Sequence, residues 1–164
     1  MRKTAIIMGS DSDLPTLTPC VEQLRALGMP FEAHIFSAHR TPDAAAAFAS
    51  QARENGFGVL IAAAGKAAHL AGALAARTSL PVIGIPIAAD GLGGLDALLS
   101  TVQMPPGVPV ATVGINGAKN AALLAAQMIA IEDAALAARL DQLRAEMTRA
   151  ALHKNEELER RLNL

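Results

Sequence analysis

The segment SAHRTP, residues 37 to 42, sets His39, a side chain that gains and loses a proton near neutral pH, beside Arg40, a fixed cation. Near the amino terminus, GSDSD at residues 9 to 13 offers two hydroxyls, Ser10 and Ser12, and two carboxylates, Asp11 and Asp13. A third stretch, AGKAAHL at residues 64 to 70, carries Lys66 and places His69 four residues after Gly65. Backbone N–H groups and serine hydroxyls at the start of a helix can hold an oxyanion, and the helix end adds about 0.3 to 1 kcal/mol. Two aspartates oppose an anion there. The conflict resolves when Ser10 and Ser12 face a phosphate, Arg40 adds positive charge, and Asp13 takes neutral donors such as ribose hydroxyls. A phosphorylated ribose satisfies all of these, although GSDSD alone also fits a loop that merely caps its helix.

Two readings compete for His39: a surface or capping histidine, or a general acid and base. His69 strengthens the second, because two histidines and an arginine from adjoining loops would face one crevice. Around them stand small residues, Ala38, Ala62, Ala63, Ala64, Gly65, Ala67 and Ala68, which would wall a dry pocket for a small reactive fragment. His34, inside a strand, and His153, in the charged tail, are expected to be structural. There is no HExxH, no histidine and cysteine cluster, no Walker loop and no full GxGxxG, so zinc, ATP and NAD are not expected.

The elements that must position these loops alternate regularly. Continuous apolar strands are expected at 5–8, 31–36, 59–63, 82–87 and 110–115. Helices follow GSDSD, with Pro15 in the first turn and Gly28 at the stop, and follow SAHRTP, with Thr41 as N-cap, Pro42 at the first position and Gly56 at the end. Further helices run to about Ala76, from about Leu95 to Val102, and through NGAKNAALLAAQMIA. Apolar strands separated by helices predict a three-layer, doubly wound α/β domain with a five-stranded parallel sheet. In a 2-1-3-4-5 order the ligand crevice lies between strands one and three, where strand order reverses. Residues 1–131 then form the α/β catalytic domain, and 132–164 a charged, amphipathic C-terminal helix extending it.

Bulk properties narrow the partners. The chain has 164 residues and a net charge of −1, which provides no field for nucleic acid or an anionic membrane. One cysteine, Cys20, excludes an internal disulfide, and no apolar run has the length of a membrane span, so a cytoplasmic protein is expected. Hydrophobic residues make up 52% but aromatics 2%, because the apolar content is largely alanine. Segments 44–49, 67–76 and 121–131 look apolar on more than one face, which predicts burial against other subunits.

IMGSDSD, SAHRTPD, AAHLAGALAA, LPVIGIP, GLDALLSTVQMPPGVPVATV and KNAALLAAQ, in this order over roughly residues 5 to 131, resemble the bacterial 5-(carboxyamino)imidazole ribonucleotide mutase family of purine biosynthesis. That family also supplies the catalytic subunit of phosphoribosylaminoimidazole carboxylase. The resemblance implies a flavodoxin-like fold, a homo-octamer with sites near subunit boundaries, and no metal or organic cofactor. It implies an isomerase that moves a carboxylate from an exocyclic nitrogen to a ring carbon of an aminoimidazole ribonucleotide. His39 matches the family's catalytic histidine. Ser10, Ser12, Asp13, Ser37 and Arg40 match residues around the ribose phosphate, and Gly65, Ala67, Ala68 and His69 the loop around the migrating carboxylate. Lys66 departs from the pattern, giving GKAAHL where the common mutase loop reads GGAAHL; an ammonium there would hold the carboxylate, alter bicarbonate use, or point to solvent. The connector AADGLGG and the short GINGAKNA segment depart as well. Direct carboxylation of aminoimidazole ribonucleotide by carbon dioxide is the alternative activity, though that class usually carries an RSN-type loop in place of AAHL. A non-catalytic nucleotide-binding module is the third reading.

Overall fold

In the computed structural model, which describes residues 1–163, five parallel strands stand in the order β2-β1-β3-β4-β5. They are β1 (Lys3–Met8), β2 (Phe31–Ile35), β3 (Phe57–Gly65), β4 (Val82–Ile87) and β5 (Ala111–Thr112). The helices are α1 (Leu14–Ala26), α2 (Pro42–Gln51), α3 (Leu70–Ala75), α4 (Leu95–Val102), α5 (Ala118–Ala130) and α6 (Ala134–Leu162). The doubly wound, three-layer expectation is borne out. Leu164, the last residue of the tail, lies outside the described residues.

Alternation along each buried strand divides the core into two layers. Ile6, Met8, Val59, Ile61, Ile83 and Ile85 face α1, α5 and the start of α6. On the other face Ala5, Ile7, Leu60, Ala62 and Val82 meet α2 and α3. Burying each large aliphatic side chain contributes roughly 1.5 to 3 kcal/mol, which holds β1, β3 and β4 as the rigid middle of the sheet.

Differences from the sequence expectations have local causes. β5 is two residues long instead of Val110–Ile115. Its pairing partner β4 contains Pro86, which has no N–H to continue the ladder past Gly84 and Thr112. The chain still follows that edge, with the Val113 N–H donating to the Gly84 carbonyl and the Asn116 N–H to that of Pro86. β3 is longer than 59–63 and carries the sheet to Gly65. α2 ends at Gln51, and turns carry the chain to Gly56, which takes φ of +83°. α3 starts at Leu70, so Ala67 and Ala68 precede it.

Gly28 does stop α1. At φ of +64° it lets the Met29 N–H reach the Leu24 carbonyl at 2.9 Å and its own N–H reach Arg25 at 2.9 Å.

The all-round apolarity of α5 has an explanation within the chain. Ala118, Ala121, Ala122, Ala125 and Ala126 are buried beneath α1 and α6 of the same molecule, so this helix needs no second subunit. Large apolar side chains are turned outward by α4. Leu95, Leu99 and Val102, spaced i, i+4, i+7, are 51, 48 and 46% exposed, while Ala97 and Thr101 face inward.

Candidate active site

The loops after β1, β2 and β3 meet at the carboxyl edge of the sheet, across the β1/β3 switch point. They enclose an open cleft of about 580 Å³. Ser10, Ser12 and Asp13 line it from the first loop, Ser37, Ala38, His39 and Arg40 from the second, and Gly65, Lys66, Ala67 and His69 from the third. Of the residues expected to bind substrate or act in catalysis, Ala68 alone does not line it. Ala67 and His69 line the cleft on either side of it, while Ala68, 1% exposed, is buried in the core.

The expected small-residue wall is corrected in the same way. Ala62 and Ala63 are buried inside β3, and the cleft meets only the end of that strand at Ala64 and Gly65. The rest of the wall comes from Ile87, Ala88 and Ala89 at the end of β4, and Thr16 of α1 also reaches the cleft. Sequence reasoning missed these residues. Their signal is the position of Ile87 at a strand's carboxyl end beside the switch point. Gly65 suits this approach of β4, since a Cβ there would sit 3.2 Å from the Ile87 carbonyl oxygen, tighter than an ordinary contact.

The GSDSD segment forms a 3₁₀ turn, Asp11–Asp13, closed by a reciprocal cap. The Ser10 N–H donates to Asp13 Oδ2 at 3.0 Å, and the Ser12 N–H points at Ser10 Oγ at 3.4 Å. The Ser12 hydroxyl donates to Ser10 Oγ at 2.9 Å, and the Ser10 hydroxyl to Asp11 Oδ1 at 3.0 Å. Burial pushes the Asp13 carboxyl above its ordinary range. The Ser10 and Gly9 backbone groups oppose that shift, Asp11 adds to it, and Arg40 opposes it.

In the second loop the Ser37 hydroxyl accepts the N–H groups of His39 at 3.3 Å and Arg40 at 3.1 Å. Thr41 does not cap α2 with its side chain as expected. Its hydroxyl turns back to Ser37, accepting that N–H at 2.9 Å and donating to the carbonyl at 3.2 Å, which tightens the loop instead. Arg40 spans the cleft mouth, with Nη2 donating to the Gly9 carbonyl at 2.7 Å. His39 Nε2 and His69 Nδ1 lie 2.8 Å apart.

Lys66 takes φ of +55°. The left-handed region costs a side-chain-bearing residue about 1 to 2 kcal/mol. His34, one residue from the carboxyl end of β2, does not line the cleft; it is stacked on Phe36 with centroids 5.5 Å apart and paired with Glu32 at 3.3 Å. His153 sits on the exposed part of α6.

Among the described residues no group of three or more His, Cys, Asp or Glu is arranged to hold a metal ion, and no helix is long and apolar enough to cross a membrane. The arrangement offers a proton-transfer pair on one side and hydroxyls, backbone donors and a guanidinium on the other, across one cleft.

The chain is similar to known proteins over most of its length. A family model described as AIR carboxylase matches residues 3–150. The N5-carboxyaminoimidazole ribonucleotide mutase of Brucella melitensis is 54% identical over 152 residues, covering 92% of this chain and 94% of that one. The chloroplastic phosphoribosylaminoimidazole carboxylase of Vigna aconitifolia is 49% identical over 94% of this chain, which spans 28% of that relative's length. Among solved structures, Treponema denticola PurE superposes with a TM-score of 0.88 at 25% identity, covering 96% of this chain and 98% of the other.

Proposed function

The chain belongs to the AIR carboxylase family, and from that premise we infer that it is an N5-carboxyaminoimidazole ribonucleotide mutase, an isomerase of purine biosynthesis. The observation that carries this reading is the convergence of His39, His69 and the Arg40–Ser10–Ser12 group on one cleft, in a chain half identical to such mutases over nearly its whole length.

The cleft's chemistry fits carboxylate migration. The carbamate C–N bond breaks with its electron pair on nitrogen, His39 supplies a proton to that nitrogen, and carbon dioxide is released beside the ring. The enamine-like ring carbon then attacks carbon dioxide to form the C–C bond, and His39 takes the proton from that carbon. The proton cycle closes, and the net change is an isomerisation. Holding carbon dioxide against the ring replaces a bimolecular capture with an effectively intramolecular one. Ala38, Ala64, Ala67 and the Ile87–Ala89 end of β4 supply the small, mostly apolar wall that this step needs. Ser10, Ser12, Asp13, Ser37 and Arg40 hold the ribose phosphate, and Gly65, Lys66, Ala67 and His69 hold the carboxylate end. Ala68 supports that loop from the core.

We also propose a cytoplasmic homo-octamer, with residues 1–131 as the catalytic unit and 132–164 as its extension. The outward leucines of α4 and the exposed Met147, Leu152 and Leu158 of α6 supply apolar surface for association. A stable monomer in light scattering at micromolar concentration would overturn this part.

A second reading, direct carboxylation by carbon dioxide, is favoured by the name of the plant relative. The two are separated by following ultraviolet absorbance of the ring-carboxylated product. One reaction receives the carboxyamino nucleotide, the other aminoimidazole ribonucleotide with modest bicarbonate. Fast turnover of the first alone supports the mutase, and efficient turnover of the second moves the chain to the carboxylase class.

A further inference from the structure

Three residues other than glycine have a positive φ among those described: Lys66, Asn116 and Asn163. Asparagine is the side-chain-bearing residue that tolerates this region best, and glycine tolerates it freely. Lysine gains nothing from such a backbone, yet Lys66 lies in the loop between β3 and α3 that lines the catalytic cleft. The preceding Gly65 does not absorb the strain. β4 approaches it closely, and it has no positive φ of its own. The cost therefore falls on the one residue of the loop that carries a permanent positive charge. Among the described residues, no hydrogen bond or ion pair holds its ammonium.

The distribution of charge across the cleft gives that ammonium a purpose. Arg40 crosses to the Gly9 carbonyl and serves the side occupied by Ser10 and Ser12, where Asp13 is the opposing anion. On the opposite side the charged or titratable groups are Lys66 and His69, with His39 reaching across to His69. While the imidazole nitrogens stay in contact, the facing pair shares one hydrogen and carries at most one positive charge. A ligand with a phosphate at one end and a carboxylate at the other places two anionic groups here. Arg40 answers the first, and nothing but Lys66 answers the second permanently.

We propose that Lys66 is a specificity-determining residue whose ammonium holds the migrating carboxylate beside the His39–His69 pair, and that the left-handed backbone at this position is retained to place it. This rests on the mutase reading and adds to it the group that recognises the carboxylated form over the nucleotide that has lost its carboxylate.

The test uses the full-length protein and two nucleotides, the ring-carboxylated product and aminoimidazole ribonucleotide, with affinities from titration calorimetry. Lys66→Gly and Lys66→Ala both remove the ammonium, and Lys66→Arg keeps a cation. The expected result is about a tenfold loss of affinity for the carboxylated nucleotide in the Gly and Ala variants, equivalent to about 1.4 kcal/mol. Affinity for aminoimidazole ribonucleotide stays unchanged, and Lys66→Arg retains most of the discrimination. Lys66→Gly, which also relieves the backbone, melts about 2 to 4 °C above Lys66→Ala. Equal losses for both nucleotides mark a phosphate contact and overturn the proposal, as do unchanged affinities for both. A Gly variant no more stable than the Ala variant refutes the strained placement. Wild-type protein that binds neither nucleotide overturns the mutase reading itself, an outcome distinct from a failure confined to Lys66.

Discussion

Nε2 of His39 lies 2.8 Å from Nδ1 of His69, with the two rings inclined at 82°, although the residues are 30 positions apart in the chain. One of the facing nitrogens donates and the other accepts, so the contact survives with a single hydrogen between the rings and breaks if both carry one. A pair limited in this way can hand on one proton and take one back, which is what carboxylate migration requires of a single acid and base.

His39→Asn is therefore expected to lower kcat by roughly 100- to 10,000-fold, the usual contribution of a positioned acid and base, while nucleotide affinity changes little. His69→Asn keeps His39 but removes its partner, so a smaller fall in kcat is expected, together with an altered pH dependence of kcat. Steady-state kinetics across pH, paired with nucleotide titrations, check both. Near-normal turnover in His39→Asn would remove it from the mechanism.

Arg40→Ala deletes the guanidinium that reaches the Gly9 carbonyl at the phosphate side of the cleft. Charge-assisted hydrogen bonds contribute about 1.5 to 3 kcal/mol, so KM is expected to rise roughly 10- to 150-fold with a lesser effect on kcat. An unchanged KM would place the phosphate elsewhere.

Much of this site was legible in the sequence because it is built at strand ends. Apolar runs marked the five strands, and in a 2-1-3-4-5 order the switch-point rule then brought residues 9–13, 37–40 and 64–70 together without any knowledge of side chains. What could not be read depended on alternation and approach within loops. Ala68 is buried between the cleft-lining Ala67 and His69, and Ile87, Ala88 and Ala89 reach the cleft because β4 ends at Ile87, opposite Gly65, and the chain continues from there along the cleft. Nor could composition show that α5 is covered by its own chain, since alanine content says nothing about which helix supplies the cover. The departure at Lys66 was visible as a residue type, but its left-handed backbone was not.

Asp13 gives a pH signature. Burial raises its carboxyl above the ordinary 3.8, so the native state holds this proton more tightly than the unfolded chain. Its contribution to stability is full below the unfolded value and is lost as pH rises through the native one. Asp13→Asn, whose side-chain oxygen still accepts the Ser10 N–H, has no such loss. Melting curves should show the variant gaining on wild type as pH rises above the ordinary carboxyl value of 3.8. A constant difference would mean that Asp13 titrates normally.

Cys20 is fully buried in α1, and burial pushes its thiol up to about 12. Only the thiolate reacts, so a chromogenic disulfide reagent at neutral pH is expected to leave the native protein untouched and to label one thiol on unfolding. Labelling of native protein at the rate of an exposed thiol would show that α1 opens locally.

Gly84, at the centre of β4, is the position where the fold has least room. An added Cβ would overlap Cγ2 of Thr101 and lie 3.0 Å from Cγ1 of Val110. Neither neighbour can step aside cheaply. Thr101 is 2% exposed and its hydroxyl donates to the Ala97 carbonyl at 2.7 Å within α4, while Val110 leads into β5 on the same edge of the sheet. Overpacking of this kind costs about 1 to 3 kcal/mol, and in a chain of this size each kcal/mol moves the melting temperature by about 2 to 4 °C. Gly84→Ala is thus expected to melt several degrees below wild type. Gly114→Ala, where the new methyl meets open space and φ is not positive, should melt with wild type. Because β4 also carries Ile87, Ala88 and Ala89 to the cleft, the Gly84 variant should lose activity as well, with kcat falling more than nucleotide affinity. If Gly84→Ala melts with wild type, α4 is not held against the sheet as tightly as this packing requires.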